Sequence, residues 1–301
     1  QDETIQGFTN VGSGWCICCL VNVTESTKIY QSVYMPETSS SILLLIPAYN
    51  EESRIAPVLE NYAVYFREHH PYRFNLIVVL NGCTDNTLSV VEAVSKKFPE
   101  IHYTNIPEPI GKGGALIEGL KLAPEADLVG YVDADGATPP AAFDELITQC
   151  ATADCVIGSR WMAGSVLRQE QTFRRQFASR VFHAIVQSLF WMNIRDTQCG
   201  AKVLRKEAVE MIHDQLTVAD MAFDINLLYA LKRSGYTVRE VPTEWTDQVG
   251  SKVQIGRTSL VMLLSVIRLR LYYSPLYRLL SPLRPLEAWI YRKLSAPPPL
   301  K

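Results

Sequence analysis

No stretch of this 301-residue sequence stays apolar for the roughly 18 residues that a membrane-spanning helix needs. The longest candidates, Trp15–Val23 and Leu260–Ile267, are too short. No basic segment precedes the first of them, so no signal peptide is evident. The expectation is a chain that does not cross a membrane, which leaves open whether it lies on one. A basic surplus is also missing. The 29 Lys and Arg stand against 31 Asp and Glu, a formal net charge of −2. Neutralising a nucleic-acid backbone needs a large positive excess, so no nucleic-acid partner is expected. Cysteine is sparse and odd in number, with seven (Cys16, Cys18, Cys19, Cys83, Cys150, Cys155, Cys199). The Cys16-Ile17-Cys18-Cys19 cluster has no following His or Cys pair at zinc-ligand spacing. Scattered reduced thiols in a chain of this length fit a cytosol-facing compartment.

What is present is apolar material, 48% of residues, enough for a sizeable core and against disorder. The charge is unevenly placed. Residues 251–301 carry nine Lys and Arg against the single acid Glu287, a net of +8, which leaves −10 for residues 1–250. Residues 1–40 read as a leader of uncertain order, residues 41–250 as the folded domain, and residues 251–301 as basic amphipathic helices. Within the domain, short apolar runs of strand length (Ile42–Ile46, Leu76–Leu80, His102–Ile106, Leu128–Val132, Cys155–Gly158) alternate with helical patterns (Glu52–Glu68, Thr84–Lys97, Lys112–Leu122, Pro139–Cys150). Continuous apolar strands in that alternation predict an α/β fold with a mostly parallel sheet flanked by helices. Ligands of such sheets sit at the carboxyl ends of the strands.

Polar clusters fall at those ends. In Tyr131-Val132-Asp133-Ala134-Asp135-Gly136 the two acids, two residues apart, share one face of an extended chain. Neighbouring carboxylates repel unless a cation lies between them or they take different partners. Oxygen ligands suit Mg²⁺ or Mn²⁺, which would hold a diphosphate. An isolated Asp-x-Asp is more often an acidic helix-capping turn, but this one has company. Pro47-Ala48-Tyr49-Asn50-Glu51-Glu52 follows the first strand, Asn81-Gly82-Cys83-Thr84-Asp85 the second, and Gly111-Lys112-Gly113-Gly114 the third. The last is not a phosphate-loop motif, because Gly113 rather than Ser or Thr follows the lysine.

These four pieces, in this order, resemble the nucleotide-sugar domain of inverting family 2 glycosyltransferases, with a GT-A (Rossmann-like) fold over roughly residues 41–250. The resemblance implies that Pro47, Ala48, Tyr49, Glu51, Asn81 and Gly82 line the nucleoside pocket. Lys112 would lie near the nucleotide, where a helix start favours anions. Asp133, with Ala134 between, would contact the ribose, and Asp135 the metal, with Asp133 as its neighbour. The family usually has Asp-Asp-Gly-Ser where this chain has Leu80-Asn81-Gly82-Cys83, so the base, uracil or guanine, stays open.

Further motifs are Gly158-Ser159-Arg160, the basic Arg174, Arg175 and Arg180, Asp196-Thr197-Gln198-Cys199-Gly200-Ala201-Lys202, Phe223-Asp224-Ile225-Asn226, Trp245 and Gly250-Ser251-Lys252. Together they resemble the polyprenyl-phosphate branch, most of all dolichyl-phosphate β-glucosyltransferases, although Ala201 and Asn226 stand where that branch usually has Phe and Glu. The implied reaction is metal-dependent inverting transfer of a hexose, glucose from UDP-glucose, to a polyprenyl or dolichyl phosphate. A phosphate acceptor is already anionic and needs cations more than a general base. Arg160, Arg174, Arg175, Lys202, Asp224 and Lys252 form the candidate acceptor-phosphate set, and Asp135, Arg160, Asp196 and Lys252 the candidate catalytic set. Transfer from GDP-mannose, a soluble acceptor, or a non-catalytic nucleotide-sugar-binding membrane protein are the alternatives. His183, His213 and Cys199 are read as packing or surface residues. The tail's basic helices, with Trp289 and several Tyr, predict a monotopic association with the cytosolic membrane face.

Overall fold

The computed structural model describes residues 40–70, 73–122, 126–168, 173–246 and 255–274, with the backbone alone for 173–178 and 255–259. Residues 1–39 of the expected leader, Lys252 and residues 275–301 of the tail lie outside the described residues.

Strand β1 (Ile42–Ala48) leads through α1 (Ile55–His69) to β2 (Phe74–Asn81), α2 (Thr87–Ser95), β3 (Ile101–Ile106), α3 (Gly111–Lys121) and β4 (Leu128–Tyr131). Then come α4 (Pro140–Gln149), β5 (Cys155–Ser159), the two-residue β6 (Val166–Leu167) and α5 (Phe173–Phe190). The chain continues through β7 (Lys202–Arg205), α6 (Lys206–Ile212), α7 (Phe223–Arg233), β8 (Val238–Pro242), β9 (Glu244–Trp245) and α8 (Ile255–Tyr272). Seven strands form one sheet in the order β3-β2-β1-β4-β7-β5-β8, and β6 pairs with β9 apart from it.

Every pairing in the large sheet is parallel except those of β7, which runs antiparallel to β4 and β5. That reversal places the first residue of β7, Lys202, opposite Tyr131 at the end of β4. The loop before β7 therefore joins the same edge as the loops after β1, β2, β4 and β5. The chain steps from β1 outward to β2 and β3, then returns to lay β4 on the other side of β1. The crevice between β1 and β4 is a topological switch point, where such sheets bind ligands.

The alternation of β1 explains its burial. Ile42, Leu44, Ile46 and Ala48 pack with α1, α2 and α4, whereas Leu43 and Leu45 pack with α3, α7 and α8 on the opposite face. All seven residues of β1 are buried, as a central strand covered on both faces requires. The strand runs through Pro47, where the sequence pattern predicts its end. The β1–β4 ladder has already stopped at Leu45–Tyr131, with Val132 N–H donating to the Leu45 carbonyl. Backbone groups alternate sides along a strand, so the missing N–H of Pro47 faces the side where no ladder continues.

Two helices begin three residues later than their sequence patterns suggest. Glu51 to Arg54 form a turn in which the Glu51 carbonyl accepts from the N–H groups of Arg54 and Ile55. At α2 the Asp85 carboxylate accepts from the N–H and hydroxyl of Thr87, delaying the helix to that residue. Helix α8 packs inward through Val266 and Leu269 and leaves Leu260, Ile267 and Leu271 exposed. No helix among the described residues is long and apolar enough to cross a membrane.

Candidate functional site

The switch-point edge gathers three acids and two lysines. The Lys112 ammonium lies 2.6 Å from Asp133 and 3.8 Å from Asp224. Asp224 in turn takes Lys202 at 2.6 Å and accepts from the Tyr131 hydroxyl at 2.5 Å. Lys202 also donates to the Cys199 carbonyl at 2.5 Å. Burial opposes the charge on Lys112, but Asp133 and Asp224 outweigh it and hold the lysine above its ordinary range. Burial likewise opposes the charge on Asp224, and Lys202 and Lys112 reverse that, so its carboxyl lies below the usual carboxylate range.

The backbone makes room for this cluster at glycines. A Cβ at Gly200 would stand 2.1 Å from an Asp133 oxygen, so only glycine lets the carboxylate lie there. Gly111 adopts φ +78°, and a Cβ on it would meet the Ala219 carbonyl at 2.5 Å. The start of α3, with Lys112 on its first turn, is thus seated against residues 218–219.

Asp135 differs from its neighbours. One of its oxygens accepts the Ala137 N–H at 3.0 Å, and it makes no ion pair among the described residues. Burial first, and then the Asp133 charge, push its carboxyl above the ordinary value. Asp133, Asp135 and Asp224 against Lys112 and Lys202 leave one negative charge unmatched. Such a surplus beside a half-satisfied carboxylate fits a divalent cation. No cluster of three or more His, Cys, Asp or Glu suited to a metal occurs among the described residues. An ion held by Asp135 and Asp133 would complete its shell with water and substrate oxygens, the habit of Mg²⁺.

On the β1–β2 side, Tyr49 is 54% exposed beside Asn50, whose φ of +56° turns the chain. The Asn50 side chain accepts from the Thr84 N–H at 2.8 Å, tying the loop after β1 to the loop after β2. Glu51 is held by Arg54 through two hydrogen bonds of 2.8 Å. Pro47, Ala48 and Asn81 are buried, and Asn81 donates to the Ala48 carbonyl at 3.2 Å. Gly82 (φ +63°) lies so close to Pro109 that a Cβ would come within 2.7 Å. Ala134 is buried between the two acids.

At the end of β5, the Arg160 guanidinium makes a bidentate pair with Asp196, at 2.7 and 2.9 Å, and its backbone N–H donates to the same carboxylate at 3.0 Å. Burial opposes the charge on Asp196, but the hydrogen bonds and charge of Arg160 prevail and lower its carboxyl. Glu240 holds the Asp196 loop by accepting the N–H groups of Arg195 and Asp196 at 2.8 and 2.9 Å. The Trp245 ring lies under Arg160, 5.1 Å from centroid to guanidinium carbon. Among the described residues Nη1 of Arg160 has no hydrogen-bond partner, and the side chain keeps a small exposure of 17%.

The sequence profile of glycosyl transferase family 2 matches residues 43–212, more than half of the chain. The chain belongs to that family. As a glycosyltransferase it is 32% identical over 239 residues to a dolichyl-phosphate beta-glucosyltransferase of Trichomonas vaginalis, covering 76% of this chain and 70% of the relative. It is 31% identical over 228 residues to the Drosophila melanogaster protein of the same name, covering 71% and 70%. Its fold is that of Mycobacterium tuberculosis glucosyl-3-phosphoglycerate synthase, solved with Mn²⁺, UDP and glucosyl-3-phosphoglycerate. The TM-score is 0.58 at 18% identity, over 76% of this chain and 80% of that one.

Two residues of this glycosyltransferase occupy a different place from the one their motifs suggest. Lys202 is 0% exposed and paired with Asp224, itself 3% exposed, so both are buried in an ion pair rather than open to an acceptor phosphate. Both belong to the support beneath Lys112. Arg174 and Arg175 lie in the first turn of α5, where the backbone alone is described. His213 touches the Ile117 carbonyl at 3.2 Å, and His183 packs edge-on against Trp161. Cys199 is buried, its thiol pushed up to about 11 by that burial. Sequence reasoning missed Tyr131, Arg54 and Glu240. Tyr131 carried a signal, being the one polar group in an otherwise apolar strand; Arg54 and Glu240 act across the fold and carried none.

Proposed function

We propose that the protein transfers glucose from UDP-glucose, with inversion, to a polyprenyl or dolichyl phosphate at the cytosolic face of a membrane, with Mg²⁺ or Mn²⁺. The observation that carries this reading is Lys112 held against Asp133 beside Asp135, which takes a backbone N–H from Ala137 and makes no ion pair among the described residues. The choice of donor and acceptor is drawn from the relatives.

In this reading the loops of Pro47–Glu51 and Asn81–Gly82 flank the nucleoside, with exposed Tyr49 free to cover a base. Asp133 accepts from a ribose hydroxyl, and Lys112, charged at any physiological pH, faces the diphosphate. Asp135, and Asp133 beside it, would hold the divalent ion, which when bound neutralises charge on the departing diphosphate. Arg160, aimed by Asp196 and stacked on Trp245, presents its free edge to the acceptor phosphate. Arg174, Arg175 and Lys252 are carried into this reading as further candidate cations for the acceptor phosphate on the family resemblance alone. An oxygen of the acceptor phosphate attacks the anomeric carbon as the bond to the nucleoside diphosphate breaks on the opposite side. No proton need be removed from the nucleophile, so the reaction requires no general base. Asp196 acts through Arg160 rather than as a base, since its carboxylate is occupied by the guanidinium.

The test uses purified protein, Mn²⁺, a short polyprenyl phosphate and radiolabelled UDP-glucose or GDP-mannose in parallel. Label moving into the organic phase with UDP-glucose is expected. Movement only with GDP-mannose would replace the donor, and movement with neither would overturn the reading.

A further inference from the structure

Asn226 stands on α7, two residues beyond Asp224, and is 0% exposed. Its side chain uses all four of its hydrogen-bonding positions. The carbonyl oxygen accepts from the N–H groups of Thr217 and Val218 at 2.8 and 3.1 Å. The amide donates to the Gln215 carbonyl at 3.1 Å and to the Tyr273 hydroxyl at 3.3 Å. Tyr273, just past α8, donates to the same Gln215 carbonyl at 3.3 Å. A second link runs from α8 to this loop, where the Ser265 hydroxyl donates to Asp220.

The other side of the same loop seats the glycine-rich start of α3. The Ala219 carbonyl accepts from Gly114 N–H at 3.0 Å. The Val218 carbonyl lies where a Cβ on Gly113 would be, at 2.5 Å, as the Ala219 carbonyl does for Gly111. Residues 215–220 are therefore clamped between α8 and the turn that carries Lys112. These close contacts couple the position of the loop to that of Gly111–Gly114.

We infer that Asn226, Tyr273 and Ser265 are positioning residues that set the placement of Lys112 from the far side of the loop. Helix α8 is thereby part of the donor site, although none of its described side chains lies at the Lys112–Asp133 pair. The chemistry explains the residue type at 226. A carboxylate there could accept from Thr217 and Val218 but could not donate to Gln215 or Tyr273. The catalytic consequence rests on reading Lys112 as the cation for the donor diphosphate; the placement of Lys112 does not.

The experiment follows Lys112 directly. Wild-type protein, Asn226→Asp, Tyr273→Phe and Ser265→Ala are pulse-labelled with acetic anhydride, and acetylation at each lysine is read by mass spectrometry. Lys202, fully buried, serves as the internal control for global opening. Leu76→Ala, on the opposite sheet face, serves as a variant destabilised elsewhere. Loss of the Tyr273 hydroxyl removes one part-buried hydrogen-bonding group, so acetylation of Lys112 is expected to rise about fivefold while Lys202 stays protected. Asn226→Asp should show at least as large a rise, and Tyr273→Phe keeps the test open should that variant not fold. Unchanged Lys112 labelling in Tyr273→Phe, or a rise equal at Lys202 or reproduced by Leu76→Ala, would overturn the inference. The same variants are then assayed for the KM of the nucleotide sugar, which should rise with little change in the KM of the lipid phosphate. Selective labelling of Lys112 with no change in donor KM would sustain the positioning and refute the diphosphate role of Lys112.

Discussion

Replacing Asp224 by Asn alters almost no volume and removes a single charge, which makes it the sharpest probe of the buried cluster. In the wild type this carboxylate satisfies Lys202 at 2.6 Å, the Tyr131 hydroxyl at 2.5 Å and, more distantly, Lys112 at 3.8 Å. After the change, Lys202 is an ammonium with 0% exposure whose remaining partner is the Cys199 carbonyl. Breaking a buried pair from one side costs about 3–5 kcal/mol, because the surviving charge stays desolvated. At about 2–4 °C per kcal/mol for a domain of this size, the midpoint of thermal unfolding should fall by about 6–20 °C. Lys202→Met should cost less, since Asp224 keeps the Tyr131 hydroxyl and Lys112 as partners. Acid adds a second signature. The Asp224 carboxyl lies below its ordinary value of 3.8, so the folded state binds fewer protons than the unfolded state between the two values. Its stabilisation is present above 3.8 and is lost as the pH falls through the folded value. The Asn variant should therefore show a shallower loss of stability in that acid window. Thermal and urea unfolding followed by circular dichroism, at neutral pH and in acid, reads both effects. A variant within 1 °C of the wild type, or a Lys202→Met variant that is the less stable of the two, would refute the charge arrangement argued here.

Asp135→Ala should abolish turnover and Mn²⁺ binding measured by calorimetry; near-normal activity would refute its metal role. Because burial and Asp133 raise the Asp135 carboxyl, Mn²⁺ competes with a proton there, so affinity should weaken as pH falls toward that raised value and recover above it. Gly200→Ala, whose Cβ would fall 2.1 Å from Asp133, should lower UDP affinity by about tenfold or more in the same calorimeter, while a stability loss without that change would speak against Asp133 at the nucleotide. Arg160→Lys keeps the charge but loses the bidentate fork, and should reduce kcat/KM for the lipid phosphate by about 10–100-fold with the donor KM little changed. A chain ending after Ser274 keeps the buried contacts of Val266 and Leu269 and should lose flotation with anionic liposomes; unchanged flotation would count against the basic tail as the membrane contact.

The parts of this glycosyltransferase that a sequence can announce are those built by local rules. Ile42–Ile46 and Leu76–Leu80 announce central strands because a strand covered on both faces has no polar residues to alternate. The loops Pro47–Glu51, Asn81–Asp85, Gly111–Gly114 and Asp133–Gly136 are legible because each follows such a strand, where a parallel sheet exposes its backbone ends. Their residue types then state the chemistry. The roles of Lys202 and Asp224 were not legible in this way. A lysine in a basic, motif-rich segment reads as a ligand for phosphate, and only the reversal of β7 buries it opposite Tyr131. The antiparallel strand itself is four residues long and follows a glycine-containing loop, too short to impose a period on the sequence.

The net charge of −2 likewise meant little until the chain was folded. Folding brings Asp133, Asp135 and Asp224 to one sheet edge with two lysines, and the single unmatched charge there matters more than the total. In the proposed reaction the protein meets two phosphorylated substrates, which a strongly negative edge would repel. Free cations along that edge would instead hold the diphosphate product. Pairing each cation with a carboxylate, Lys112 with Asp133 and Arg160 with Asp196, resolves the conflict. Each cation is oriented before substrate arrives, and each keeps an acid that competes for it when product leaves. The departure of Asn226 from the carboxylate usual at that position then has a physical sense. A carboxylate there could not donate to the Gln215 carbonyl, whereas the neutral amide both accepts from and donates to the loop that it holds.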